Sequence, residues 1–191
     1  MVWAPDYVTV ADMQGHERIG DDEAEIAEKI TAASRAVDNW CNRQFGHADA
    51  PVQRFYQRTG AYVLDCQWVV DVDDFQDVTG VTVTVDGTAV TGWVPLPRNA
   101  AADGLPYTRL RLPDRPAGEI AVTALWGWGS VPAAVKTATK LQAARWLFRR
   151  DAPHGIAGSP DLGGGDLRLL ARLDPDVGPA LAGLVRARRP R

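Results

Sequence analysis

The chain has 191 residues, 46% hydrophobic and 24% charged, with a formal net charge of −3, a profile that suits one compact globular domain or one domain with a sizeable insertion. No apolar run approaches the roughly 20 residues that a membrane helix needs. Residues 1–12 lack the basic and apolar regions of a signal peptide, so the expected setting is the cytosol, with no membrane partner.

The net charge conceals an asymmetry: residues 1–135 carry 10 Lys/Arg against 19 Asp/Glu, and residues 136–191 carry 11 against 5. Arg186, Arg188, Arg189 and Arg191 fall at the very end. Such polarity suits a subunit whose ends meet different partners, or a tail that meets an acidic surface or nucleic acid. A solvated basic tail fits the charge equally well. Cys41 and Cys66 are read as two reduced, partly buried thiols rather than a disulfide or a metal site.

Residues 21–45 predict an amphipathic helix. Asp21 or Asp22 caps it, Glu23, Glu25 and Glu28 suit the positive end of its dipole, and Gly46 offers a stop. Ile26, Ile30, Ala33, Val37 and Trp40 recur at steps of three and four and are expected to form its buried stripe. From Gln53 to Trp128 the pattern turns to strands. Val81, Val83 and Val85 alternate with threonines and run into Asp86-Gly87, a tight-turn signal because this pair tolerates positive φ. Thr108–Leu112 and Glu119–Trp126 alternate in the same way. The stretch from Pro95 to Pro116 between them is too rich in proline for a central strand and is expected to be loop with a short strand inside.

Helix returns over residues 131–150, with Pro132 in the first turn and Ser130 or Val131 as cap. Val135, Ala138, Leu141, Ala144 or Arg145, and Phe148 are its expected inward stripe. Residues 153–166 contain enough glycine and proline to predict a mobile loop, one that orders on assembly. A last helix is expected over residues 176–187, with Leu181, Leu184 and Val185 as a narrow apolar face. The order is thus helix, β-rich insertion, helix, Gly-rich loop and terminal helix.

Enzyme templates fail on spacing. None of Lys29, Lys136 and Lys140 follows a glycine, so no phosphate-cradling loop is present. Gly127-Trp128-Gly129-Ser130 resembles a serine elbow until Pro132 takes the place of its second glycine, which leaves Ser130 as a cap. Asp71, Asp73 and Asp74 resemble the start of a calcium loop, but Gln76 and Thr82 stand where glycine and glutamate belong. Val70-Asp71-Val72-Asp73 is better read as a strand with an acidic outer face. His16, His47 and His154 lack ligand spacing. No catalytic residue, cofactor or metal is expected. Trp40 and Trp126 read as core, whereas Trp128 and Trp146 are candidates for a subunit interface, where tryptophan is enriched.

Two stretches resemble the head-to-tail adaptor (head–tail connector) family of long-tailed bacteriophages, with an actinobacterial-phage flavour. The first runs from Ile30 through Ala32-Ala33-Ser34-Arg35-Ala36-Val37-Asp38 to Trp40-Cys41 and Arg43-Gln44-Phe45. It is similar to the family's helix "AAS-x-AID-x-(Y/W)C-x-R-x-F". The second runs from Trp126-Gly127-Trp128 through Val131-Pro132, Val135, Ala138 and Ala144 to Arg149-Arg150. It resembles a strand ending in a Gly-aromatic pair, followed by a proline-initiated helix with a basic end.

The resemblance implies a mainly helical bundle carrying an antiparallel β-rich insertion at about 53–128, all within a single adaptor domain over 1–191. Its long helices would be 21–45 and 131–150, with a C-terminal docking helix from 176. It further implies a structural virion protein of the neck, assembled in the host cytoplasm as a dodecameric ring beneath the portal. The expected partners are further copies of itself, the portal protein, a downstream stopper or tail-completion protein, and genomic DNA touched without sequence preference in the channel. Arg186, Arg188, Arg189 and Arg191 are assigned to portal docking, with contact to channel DNA as the alternative. Competing readings are another neck component, such as a stopper or tail terminator, and a small DNA-binding protein.

Overall fold

The structure, a computed structural model, describes residues 4–14, 22–150, 156–157, 167–168 and 175–187. The chain divides into two compact units, one built on Gly46–Ser130 and the other on Pro5–Phe45 with Val131–Arg188. The mainly helical bundle with long helices is overturned: the fold is mixed α/β, 34% helical and 27% strand, with two antiparallel four-stranded sheets.

The strand unit explains most of that correction. Its strands are β1 (Val52–Tyr56), β2 (Ala61–Leu64), β3 (Gln67–Phe75), β4 (Thr82–Val85), β5 (Thr88–Ala89), β6 (Val94–Leu96), β7 (Tyr107–Leu112) and β8 (Ile120–Ala124). They pair in the orders β1-β8-β4-β5 and β2-β3-β7-β6, every neighbouring pair antiparallel. Val70, Val72, Leu110 and Leu112 from one sheet share a core with Val83, Ile120, Val122 and Ala124 from the other. Period-two alternation produces this, since each strand turns its valines, leucines or isoleucines to one face. Residues 46–130 therefore bury an apolar core of their own instead of decorating a bundle.

Two tight hairpins set the registers. Asp86 and Gly87 both adopt positive φ (46° and 78°) between β4 and β5, as the sequence signal required. Asp65 and Cys66 do the same (49° and 60°) between β2 and β3, where no glycine announced the turn. The proline-rich stretch supplies two strands, because β6 pairs along one side of β7 while β3 holds the other.

In the helical unit, α1 (Val10–Met13) precedes α2 (Glu23–Cys41), α3 (Ala133–Arg150) and α4 (Val177–Leu181). Two short strands, β9 (Ile156–Ala157) and β10 (Leu167–Arg168), pair with each other. Thr9 and Asp12 form a reciprocal capping box that starts α1, which drops Met13 into the core. Asp22 caps α2 by accepting the amides of Ala24 and Glu25, both at 3.1 Å. The core gathers Val8, Met13, Ile26, Ile30, Ala33, Ala143 and Leu147.

Three sequence expectations shift here. Helix α2 stops at Cys41 because Asn42 turns left-handed (φ 52°), a conformation asparagine tolerates better than most residues. Its buried stripe accordingly ends on Cys41, and Trp40, expected in the core, is 49% exposed. On α3 the inward stripe is Val135, Ala138, Thr139, Gln142, Ala143 and Leu147, leaving Leu141 and Phe148 outside. The C-terminal helix keeps only Val177–Leu181 and tightens into a 3₁₀ turn over Ala182–Leu184, as Gly178, Pro179 and Gly183 are poor helix formers.

Candidate functional site

A polar cluster of the helical unit forms where the N-terminal segment crosses α2. Successive turns of α2 align Ser34, Arg35 and Asp38 along one flank of the buried stripe. The Tyr7 amide donates to Ser34 Oγ at 3.2 Å, and Ser34 in turn donates to the Ile30 carbonyl at 2.9 Å. The Tyr7 hydroxyl donates to Asp38 Oδ1 and accepts the Phe45 amide at 2.8 Å. Arg35 pairs with Asp38 at 3.0 Å, donates to the Pro5 carbonyl at 2.8 Å and lies over the Tyr7 ring.

Burial dominates the electrostatics of this cluster. It pushes the Asp38 carboxyl up to about 6, even though the Tyr7 hydroxyl and the Arg35 guanidinium both favour the charged form. It also drives the Tyr7 hydroxyl well above the ordinary tyrosine range, with the Asp38 contact adding to the rise. The Cys41 thiol is pushed up to about 11, again by burial, which keeps it protonated and weakly nucleophilic at neutral pH. Cys66, by contrast, is exposed, and both cysteines are free thiols. What this cluster can do chemically is clamp: it ties residues 5–7, the α2 flank and the Phe45 turn into one piece.

The C-terminal arm docks on the far end of the same helix. Val177 and Leu181 are fully buried, whereas Leu184 and Val185 of the expected apolar face are partly or largely exposed. Gly178 lies against the Trp40 ring, where an added Cβ would come within 3.2 Å of Cζ2. After Leu184 the chain extends, and the Arg186 amide donates to the Cys41 carbonyl at 2.8 Å. Asn42 Nδ2 donates to the Arg186 carbonyl at 3.4 Å. One carbonyl that the end of α2 leaves without an intrahelical partner is thus satisfied by the arm backbone. Arg186 is half-buried at this junction, while Arg188, Arg189 and Arg191 lie outside the described residues.

The strand unit holds a second polar group, along β3. Asp71 and Asp73 alternate with the buried Val70 and Val72 and are themselves only partly buried. Tyr62 donates to Asp71 at 3.0 Å; Tyr56 donates to Asp73 at 3.0 Å, and Arg54 pairs with Asp73 at 2.8 Å. Burial and the Asp73 charge raise the Tyr56 hydroxyl far above its usual range. A register shift between Asp71 and Phe75 breaks the alternation, so Asp74 and Phe75 both turn inside. Buried Asp74 accepts Trp128 Nε1 at 3.1 Å, and its carbonyl accepts the Gly127 amide at 2.6 Å. Gly127 takes φ 110° where a side chain would collide with the Gly46 carbonyl.

The two interface candidates part company. Trp128 is 3% exposed and engaged with Asp74, so its own unit uses the ring rather than offering it to a neighbour. Trp146 is partly buried and packs against the helical core. Trp126 is fully buried, its Nε1 donating to the Val52 carbonyl at 2.6 Å and Arg54 lying over its ring. Sequence reasoning missed Tyr7, Asp38 and Asp74. Tyr7 stands in a stretch with no periodicity, and nothing in the pair Asp73-Asp74 tells which carboxylate a bulge will turn inward.

His47 bridges to Gly127, its Nδ1 lying 3.0 Å from the Ala48 carbonyl, while His16, His154 and most of the Gly-rich stretch 153–166 lie outside the described residues. Among the described residues, no group of three or more His, Cys, Asp or Glu is placed to hold a metal ion, and no helix is long and apolar enough to cross a membrane. No protein-family model matches the chain, and no curated protein matches it at a significant level.

Proposed function

We propose that the chain is a structural, non-catalytic subunit of a head-to-tail adaptor ring in the neck of a tailed bacteriophage. In this reading twelve copies sit beneath the portal, join the DNA-filled capsid to the tail and leave a channel for DNA. The observation that carries the proposal is the C-terminal arm. Val177 and Leu181 root it, the Arg186 amide ties it to the end of α2, and the last arginines follow from that fixed point. A basic segment launched from a rigid helix end suits docking on an acidic partner surface better than a free tail does, because less ordering entropy opposes binding. The residues of the family-like helix support the reading: Ile30, Ala33, Ser34, Val37, Cys41 and Phe45 are all buried, and Arg35 and Asp38 complete the clamp. They are the framework that presents the arm, which is what a motif of packing residues should be.

The test ends the chain after Ala187, keeping the Arg186 anchor and removing Arg188, Arg189 and Arg191. Negative-stain microscopy with the portal should show a ring on the portal for the full chain and none for the truncated one. A truncated chain that still decorates the portal, while DNA leaks from otherwise normal particles, reassigns these arginines to the channel. A full chain that never joins the portal ends the adaptor reading.

A further inference from the structure

Helix α3 is apolar on two sides. Its inner side packs Val135, Ala138, Ala143 and Leu147 into the unit, but also buries the polar Thr139 and Gln142. Its outer side carries Thr137, Leu141 and Phe148, spaced by four and seven residues, with Leu141 45% and Phe148 44% exposed, whereas Ala144 is partly buried against the helical core. Steps of four and seven keep these residues on one side of the helix, the spacing by which two helices lie together at a shallow angle. The charge of α3 is equally one-sided: Lys136, Lys140, Arg145, Arg149 and Arg150 stand on a helix that contains no Asp or Glu.

The complement lies on the same chain. Helix α2 faces its own α3 with Ile26, Ile30 and Ala33, and its opposite side presents Ala24, Glu28, Ala32 and Asn39, all exposed. The Glu28 side chain is 72% exposed, and Glu23 and Glu25 extend the acidic end of the helix. Ala24 and Ala32, two helical turns apart, leave shallow seats that a leucine and a phenylalanine can fill, and the acidic end answers the basic one. Neither outer side can meet the other within one chain, because the two helices already use their inner sides on each other.

We propose that the outer seam of α3 docks on the outer side of α2 of a second copy. Each copy then offers one donor and one acceptor side, a head-to-tail contact that repeats around an axis until it closes. The proposal rests on the ring reading above and names the surface that would build the ring. A seam of a few turns falls short of the roughly 1,200–2,000 Å² of a stable standard interface. Single contacts are therefore weak, and closure of the ring holds the assembly together.

Cysteine pairing reads a weak contact directly. Ala32 and Leu141 sit near the middle of their helices, so their proximity does not depend on whether the helices run parallel or antiparallel. In a Cys66→Ser background, the double variant Ala32→Cys/Leu141→Cys should oxidise to a ladder of oligomers. A mixture of the two single variants should give mainly the mixed dimer. Adding Phe148→Asp to the double variant should cut the ladder by at least about tenfold, as removing an aromatic anchor does. A Leu141→Cys single variant that dimerises with itself would replace this contact by a symmetric one between two α3 seams and overturn it. Absence of the ladder in a chain that microscopy shows as rings also overturns the contact, but leaves the ring reading intact. A ladder from a chain that forms filaments and never rings supports the contact and ends the ring reading.

Discussion

The two units are stabilised in opposite ways. The strand unit is built on one long segment, Gly46–Ser130, whose core contains Phe75, Trp126, Ile120 and a run of valines. The helical unit is assembled from distant segments, with alanines at its helix contacts and a hydrogen-bonded clamp of Tyr7, Ser34, Arg35 and Asp38. Apolar burial has no directional requirement and grows with area. A buried polar clamp depends on every partner being in place, since an orphaned group costs its full desolvation. The strand unit should therefore lose stability in proportion to the volume removed from it. The helical unit should respond to the charge state of single atoms and to the positions of chain ends far apart in sequence.

The largest effect expected from this contrast is at Trp126. Its ring is fully buried between the Phe75 edge, Tyr56 and the Arg54 guanidinium. Trp126→Ala should cost about 3–5 kcal/mol in chemical denaturation, the range for deleting a core aromatic. Hydrogen exchange should place the loss on β1, β3 and β8. A cost below about 1 kcal/mol would mean that apolar burial does not dominate this unit.

The same contrast decides what the sequence disclosed. Strand alternation at Val81–Val85 and Glu119–Trp126, and the Asp86-Gly87 turn, were legible because one local rule dictates each. The capped, periodic start of α2 was legible for the same reason. The balance of the fold was not: a count of helical periods says nothing about whether intervening strands bury a separate core. Trp40 and Cys41 both continue a stripe of threes and fours, and only the left-handed Asn42 and the arm packed beyond it decide which one turns inward. Leu141 and Phe148 are better hydrophobes than Thr139 and Gln142, so periodicity, right at Val135 and Ala138, left the buried face of α3 at Leu141 and Phe148. The clamp was hidden because Tyr7 and Asp38 stand 31 positions apart. The arm was legible only as charge; its anchors, Val177 and the Arg186 backbone, carry no motif.

The second effect belongs to the clamp and has a sign. Asp38 titrates near 6 in the folded protein, against an ordinary value of 3.8. Between those values the folded state binds more protons than the unfolded one, so stability falls as pH rises through this window. The total is on the order of 3 kcal/mol, with the side chain only 14% exposed and therefore weakly screened. Other carboxylates also titrate there, so the measurement is a difference: wild-type stability minus that of Asp38→Asn, followed from pH 4 to pH 6.5. That difference should decline with pH. A flat or rising difference would show that Arg35 and Tyr7 outweigh burial and hold Asp38 charged throughout.

The smallest expected effect tests the arm. Trp40 is half-exposed, with one side of its ring toward Gly178. Trp40→Ala should therefore cost less than about 1 kcal/mol in global unfolding, as substitutions outside the core do. Its consequence should instead be local. Without the ring, α4 loses a wall of its seat, and the arm opens more often while Ile26, Ile30 and Leu147 stay packed. The amide of Arg186, which donates to the Cys41 carbonyl, reports that opening. Its hydrogen exchange should accelerate in Trp40→Ala, while amides in the middle of α2 keep their protection. Equal acceleration at both places, together with a loss above about 3 kcal/mol, would make Trp40 a core residue of the helical unit after all. Unchanged exchange at Arg186 would leave Val177 and Leu181 as sufficient anchors by themselves, with the ring free to serve a surface beyond its own chain.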